Sequence, residues 1–356
     1  MNGILIYSKV FFIFVIIVSL FAYCPIAMTQ NLDLNSDSSL LKMIKEHSEE
    51  ELRSAIKNCL NGQYKLTIPV ISRFEKAGDL DARYVMAQLH RLGAGLEQSD
   101  KIATSLLESA ANNDHGPSLV ALANLNFSNA PAKALRQYES AAQNGETNAM
   151  IKMGDIAENG QLGMRRNFKR AFHYYWTASQ QGNFAGDFHV ARCYEKGIGV
   201  SPNSVDATRY YRKAALGGVR AANAILGRRY LEGLGVEVDP VAATGWFTRG
   251  AKLGSTEAMV LLGQEYESGK HMVKDLNQAG QLYSAAAKKN DPAGNYRLAL
   301  LYLNGIGTQS DPVRAYVLLA KAQAIPAAQE AFEKLEKQLS QKQIEFAKKK
   351  IAESNQ

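Results

Sequence analysis

The sequence predicts an all-α fold, a right-handed α-solenoid of antiparallel helix pairs, on three observations. The chain repeats itself every 36 residues, its apolar residues fall at helical spacing inside each repeat, and glycines punctuate the repeats where helices must end. Tyr194, Tyr230, Tyr266 and Tyr302 recur 36 apart, as do Gly197, Gly233, Gly269 and Gly305, and as do Ala171, Ala207, Ala243, Ala279 and Ala315. No segment alternates with the period of two that a half-buried strand needs.

Within each repeat a second helix reads Ala207, Tyr210, Tyr211, Ala214, Ala215, then Ala243, Trp246, Phe247, Gly250, Ala251, then Ala279, Leu282, Tyr283, Ala286, Ala287. Offsets of three and four place these residues on one helical face. A first helix carries Leu226, Gly227 and Tyr230, repeated as Leu262, Gly263 and Tyr266. The turn between the two helices, residues 232–236, holds Gly233 and Gly235, which tolerate the positive φ that closes a helix. Asp239-Pro240 and Asp311-Pro312 read as the N-cap and first-turn residues of the following helix. The second helix closes at Gly145, Gly182, Gly218 and Gly254, and at Asn290 where asparagine replaces glycine.

The repeat resembles the Sel1-like repeat, a relative of the tetratricopeptide repeat. Residues 226–235 (LGRRYLEGLG) and 242–254 (AATGWFTRGAKLG) carry its pattern of LG-x-x-Y-x-x-G-x-G followed by A-x-x-W/Y-Y/F-x-x-AA-x-x-G. Clear copies run from about residue 81 to 323 and number about seven. Two are degenerate: Ala103, Leu106, Leu107, Ala110, Ala111 and Ala134, Tyr138, Ala141, Ala142 keep the second helix, but the loop near 128–131 has lost its glycines, and a step of 31 replaces 36. The expected organisation is a signal peptide at 1–27, an N-terminal helical segment with a worn repeat at 28–80, the repeat solenoid at 81–325 and a capping helix at 326–356. Residues 327–352 are expected to form one long polar helix that covers the last apolar face.

The N-terminal 30 residues read as an export signal, with Lys9 ahead of an apolar run of thirteen residues at 10–22. That is short for a membrane span of about 20 residues, so the chain is expected outside the cytoplasm, in the periplasm or secreted. Cleavage is expected after Cys24 or Ala27, and membrane contact arises only through this segment if it stays uncleaved.

Composition narrows the function. The excess of 41 Lys and Arg over 34 Asp and Glu is mild and not gathered into runs, so no nucleic-acid partner is expected. Lys348, Lys349 and Lys350 stand among enough glutamates to read as a solvated cap. Cys24, Cys59 and Cys193 form no C-x-x-C motif and no disulfide framework. Gly197-Ile198-Gly199 and Gly233-Leu234-Gly235 recur with the repeat and join helices, so they are turns and not phosphate loops. No histidine pair carries the metalloprotease spacing, no G-x-S-x-G or S-x-x-K occurs, and His189 with Cys193 offers only two metal ligands. No cofactor and no metal are expected, and the chain is read as not an enzyme.

The recurrent tyrosines are expected in the core. First-helix positions beside them are expected to line a concave face and bind a partner protein: Tyr84, Gln88, Ile151, Asp155, Phe188, Arg192, Arg228, Gln264, Tyr296 and Leu300. The resemblance implies a non-catalytic scaffold or adaptor in envelope assembly, signalling or host interaction. The other reading is a β-lactamase-like hydrolase, since some cysteine-rich Sel1-like proteins are described so. Those carry a cysteine pair in each repeat, whereas Cys59 and Cys193 stand alone after the signal.

Overall fold

The computed structural model describes residues 40, 43, 47–307 and 309–354, so the expected signal peptide, with Cys24, lies outside the described residues. Among the described residues every regular element is an α-helix. They fall into two units, one ending at Arg166 and one beginning at Asn167.

The first unit holds α1 (Glu50–Leu60), α2 (Tyr64–Lys76), α3 (Leu80–Leu92), α4 (Asp100–Ala111), α5 (Gly116–Asn126), α6 (Pro131–Gln143) and α7 (Thr147–Asn159). Each packs on the next in chain order. The second unit continues with α8 (Phe168–Gln180), α9 (Phe184–Lys196), α10 (Ser204–Leu216), α11 (Arg220–Glu232), α12 (Pro240–Lys252), α13 (Thr256–Ser268), α14 (Leu276–Lys288), α15 (Pro292–Asn304), α16 (Pro312–Lys321), α17 (Pro326–Glu336) and α18 (Gln341–Ser354). Here too neighbours in sequence are neighbours in space from α8 to α17, while α18 packs back on α16, and first helices also touch across repeats, α11 on α13 and α13 on α15. This is the nearest-neighbour stacking of a helical repeat.

The ends of the helices follow from single residues. Asp239, Asp275, Asp291 and Asp311 each accept a backbone N–H from the first turn they precede, the usual way to satisfy orphan donors at a helix start. Gly233 and Gly235 take φ of 71° and 69°. Gly235 has a second reason to lack a side chain, because a Cβ there would run into the carbonyl of Ser204 at the start of α10. Asn290, at φ 57°, closes α14 as glycines close α6, α8, α10 and α12, and Asp114, at φ 58°, does the same after α4.

The core corrects one expectation. The fully buried rings are those of the second helices: Tyr138 in the first unit, then Tyr175, Tyr211, Phe247, Tyr283 and Tyr316 in the second. A Cβ on Gly227 would strike the Phe247 ring, and one on Gly263 the Tyr283 ring, so the glycine of each LG pair makes room for the aromatic of its own repeat. Tyr194, Tyr230, Tyr266 and Tyr302 are only half-buried. They flank the inter-helix turn, where the Tyr230 hydroxyl accepts from Arg212 Nη2 at 2.6 Å and Arg314 lies over the Tyr302 ring.

The C-terminal cap is corrected as well. Residues 327–352 form two helices, not one, with a break between α17 and α18. Ser340 and Gln343 explain the break: the Gln343 side chain accepts from Ser340 N at 3.0 Å and Ser340 Oγ accepts from Gln343 N at 3.4 Å. That is a capping box written in the sequence as Ser-x-x-Gln. The segment is not polar throughout, since Ala328, Leu335, Ile344 and Ala347 are buried with Ala315, Tyr316 and Leu319 of α16.

Candidate protein-interaction surface

A helix that packs on neighbours before and after it in the stack keeps little surface, so the question is what the first helices leave open. Of the ten residues expected on the concave face, Tyr84, Gln88 and Ile151 are buried. Tyr84 lies against the His115 ring at 6.0 Å, and Gln88 accepts from Arg91 Nε at 3.0 Å. These three belong to the packing of the first unit and present no open strip. Asp155 in the same unit is half-buried.

In the second unit the column is better kept. Phe188, Arg192, Gln264, Tyr296 and Leu300 are half-buried, while Arg228 is exposed. Phe188 sets its edge on Tyr211 at 5.7 Å and on His189 at 5.9 Å, and Arg192 lies over Tyr175. The position spaced one repeat apart, Arg192, Arg228, Gln264 and Leu300, is occupied by three different chemistries on one scaffold: guanidinium twice, then an amide, then an aliphatic group. Its members are tied across repeats: Arg228 Nη2 meets Glu257 Oε1 of α13 at 2.6 Å. The Gln264 amide oxygen, turned toward Arg297, accepts from Nη2 and Nε at 2.6 and 3.0 Å.

A polar network that the sequence did not announce lies beneath this column. Arg229 on α11 is buried, with Nη1 on Glu195 Oε1 at 2.6 Å, Nε on Thr208 Oγ1 at 2.7 Å and Nη2 on Ser204 Oγ at 2.8 Å. Glu195 also accepts from the Tyr211 hydroxyl at 2.9 Å. Burial first, then the neighbouring Glu195 charge, pushes the Tyr211 phenol well above its ordinary range. The same ring-to-glutamate bond recurs as Tyr283 to Glu267 at 2.6 Å. Where the ring is Phe247, Leu231 stands in the glutamate's place. That paired change is the signal by which the network is legible in retrospect.

One arrangement has the connectivity of a hydrolytic triad. His115 Nδ1 lies 2.8 Å from Ser118 Oγ, and its Nε2 lies 3.0 Å from Asp81 Oδ1. Ser118 is fully buried, and His115 is the residue preceding α5. The ring thus bonds a side chain in the first turn of the helix it precedes, and Ser118 is closed off from solvent. His189 stacks on Tyr175 at 4.5 Å and Cys193 is buried, so that pair is part of the packing. Among the described residues no group of three or more His, Cys, Asp or Glu is placed to hold a metal ion.

Comparison with known proteins agrees with the repeat geometry. The Sel1 repeat model matches residues 80–115, 147–183, 186–219, 220–255, 256–291 and 292–322, together more than half of the chain. The chain belongs to the Sel1 repeat family. Residues 116–146, the pair whose loop has lost its glycines, fall between matched Sel1 stretches. Among solved structures, a protective antigen of uropathogenic Escherichia coli with an SLR fold aligns at TM-score 0.60 and 23% identity, over 90% of this chain and 69% of that one. A Sel1 repeat protein from Oxalobacter formigenes aligns at TM-score 0.56 and 23% identity, over 67% of this chain and 97% of that one. At such identity these likenesses speak for the fold. Chitin synthase regulatory factor 3 of Schizosaccharomyces pombe is 34% identical over 67 residues, and an uncharacterised protein of Neisseria meningitidis serogroup B is 27% identical over 176. The chain spans 7% and 38% of the lengths of these two relatives.

Proposed function

We propose that this Sel1-repeat chain is a non-catalytic scaffold or adaptor of the cell envelope that holds a partner protein along the first-helix column of its second unit. What supports the reading is one contrast. The aromatic and small-residue columns are closed by packing, while the column of Arg192, Arg228, Gln264 and Leu300 passes from arginine to glutamine to leucine and keeps Arg228 open. A repeat that fixes its core and varies one exposed column offers a partner a series of distinct contacts.

The test is a photo-crosslinking residue placed at Arg228 or Gln264 in the native cell, with the same residue at Gly245, exposed on the second helix α12 where an added side chain meets open space, as control. A defined adduct from the two column sites and not from the control is expected; equal labelling at all three sinks the column. Export is tested by fractionation and by the N-terminal mass, which should place the first residue just after Cys24 or Ala27. Purified protein should not hydrolyse nitrocefin above background, and turnover there would favour the β-lactamase-like reading.

A further inference from the structure

Charge is unevenly divided between the two kinds of helix in the second unit. The second helices α8, α10, α12 and α14 carry eight Lys or Arg and a single acid, Asp206, while the first helices between them, α9, α11, α13 and α15, carry six of each sign. The macrodipole rewards a cation in the last turn, which covers Lys213, Arg249, Lys252 and Lys288. It does not cover Lys169 and Arg170, which sit in the first turn of α8.

The turns at the ends of these second helices arrange the cations in a row with apolar side chains between them. Phe184 is 47% exposed and its ring covers Gly217, where a Cβ would fall inside it. Beside Gly217 stands Leu216, 59% exposed. The Leu216 carbonyl is capped by Arg249 Nη2 of the next repeat at 3.3 Å. One helical turn on from Arg249 stands Leu253, 39% exposed. The carbonyl that follows it, on Gly254, is capped by Lys289 Nζ of the repeat after at 3.2 Å. Lys252 is exposed next to Leu253. Each inter-repeat cap fixes a cation at a seam, and each seam is flanked by an open apolar side chain.

We propose that this edge of the second unit docks an acidic polypeptide segment in extended form, with an apolar residue at about every third position and Asp or Glu between. The Arg249 side chain reaches from α12 to the end of α10, and the Lys289 side chain from the end of α14 to the end of α12. Successive seams are thus spanned by one long side chain, and an extended chain covers such a reach, on the order of 10 Å, in about three residues. One repeat therefore matches one apolar-acidic-acidic triplet. The open leucines decide against a nucleic acid, whose phosphates meet cations but whose bases are held by stacking aromatics and hydrogen bonds, not by aliphatic groups. Cations held at fixed seams suit carboxylates at fixed intervals better than a fluid headgroup layer. The edge lies on the second helices and goes beyond the first-helix column proposed above.

The probe is a fluorescein-labelled synthetic peptide repeating Leu-Asp-Glu, titrated with the purified full chain and read by fluorescence anisotropy. A peptide repeating Leu-Lys-Lys, a single-stranded oligonucleotide and phosphatidylglycerol vesicles are run beside it. Saturable binding of the acidic peptide that weakens with salt is expected. The Lys252→Glu, Lys289→Glu double variant should weaken it about tenfold or more, and the Leu216→Ser, Leu253→Ser variant severalfold, both with unchanged melting curves. Arg228→Glu, on the other column, should leave peptide binding unchanged, so failure here and failure of the scaffold reading are read separately. No binding of the acidic peptide overturns the proposal. So does binding indifferent to both double variants, or a loss confined to oligonucleotide or vesicle binding.

Discussion

Tyr230 and Phe247 carry similar rings in the same repeat, yet the stack treats them differently. Phe247 is fully buried against Gly227, so Phe247→Ala should cost about 3–5 kcal/mol, the usual range for an aromatic core deletion. Tyr230 is half-buried with its hydroxyl on Arg212, and Tyr230→Ala should cost clearly less; chemical denaturation of the two variants checks the order. Asp187 is a second residue-scale case. Burial raises its carboxyl pKa, while Ser179 and the Lys213 charge pull it down. A carboxyl raised above its unfolded value contributes stability that is full below the unfolded pKa and lost as pH rises through the folded one. Stability should therefore decline as pH climbs out of the acid range, and Asp187→Asn should flatten that part of the profile, since Asn still offers Ser179 Oγ the oxygen that Asp187 Oδ1 presents at 2.6 Å. One repeat later Asn223 is buried with Oδ1 accepting nothing, because Ala215 stands where Ser179 stood. Ala215→Ser should supply that donor and raise the melting temperature, a gain of about 0.5–1.5 kcal/mol if the new hydroxyl packs as Ser179 does.

Elements begin and end here by local chemistry, and tertiary contact then raises the stakes at some of those ends. Gly218 and Gly235 both have positive φ, 93° and 69°. A Cβ on Gly218 meets open space, whereas one on Gly235 meets the backbone of Ser204 and Val205. Gly218→Ala should thus cost about 1 kcal/mol for the left-handed conformation alone. Gly235→Ala should cost more by the about 1–3 kcal/mol of forcing the turn off α10. Equal melting curves for the two variants would show that the turn does not rest on α10. The C-terminal cap shows the opposite balance: Ser340 and Gln343 break it locally, although residues 327–352 are compatible with one helix by composition.

At the scale of the molecule, stability is a chain of neighbour interfaces within each unit. Tyr316 is fully buried, stacks near Phe332 at 4.4 Å and donates to Glu336 at 2.8 Å, its phenol pushed up to about 12 by burial and by that glutamate. Tyr316→Ala should loosen α16, α17 and α18 in hydrogen exchange while α9 to α12 keep their protection. Uniform loss of protection over the whole second unit would instead show one cooperative block.

The sequence by itself determined that the chain is a Sel1-type helical repeat, that second helices close at Gly145, Gly182, Gly218, Gly254 and Asn290, and that Asp239 and Asp311 open the helices after them. Those properties live in spacings of three, four and 36 residues and in glycines whose φ is a local matter, so they are written along the chain. Tertiary structure alone decided that the Phe247 column and not the Tyr230 column is the sealed core, since both read as aromatic at helical spacing and only the facing Gly227 tells them apart. It also decided the Arg229 network, the burial of Tyr84, Gln88 and Ile151, and the row of cations at the turns. The network and the cation row depend on groups 21 to 35 residues apart meeting across a seam, where distance and solvent exclusion, not periodicity, set the energy.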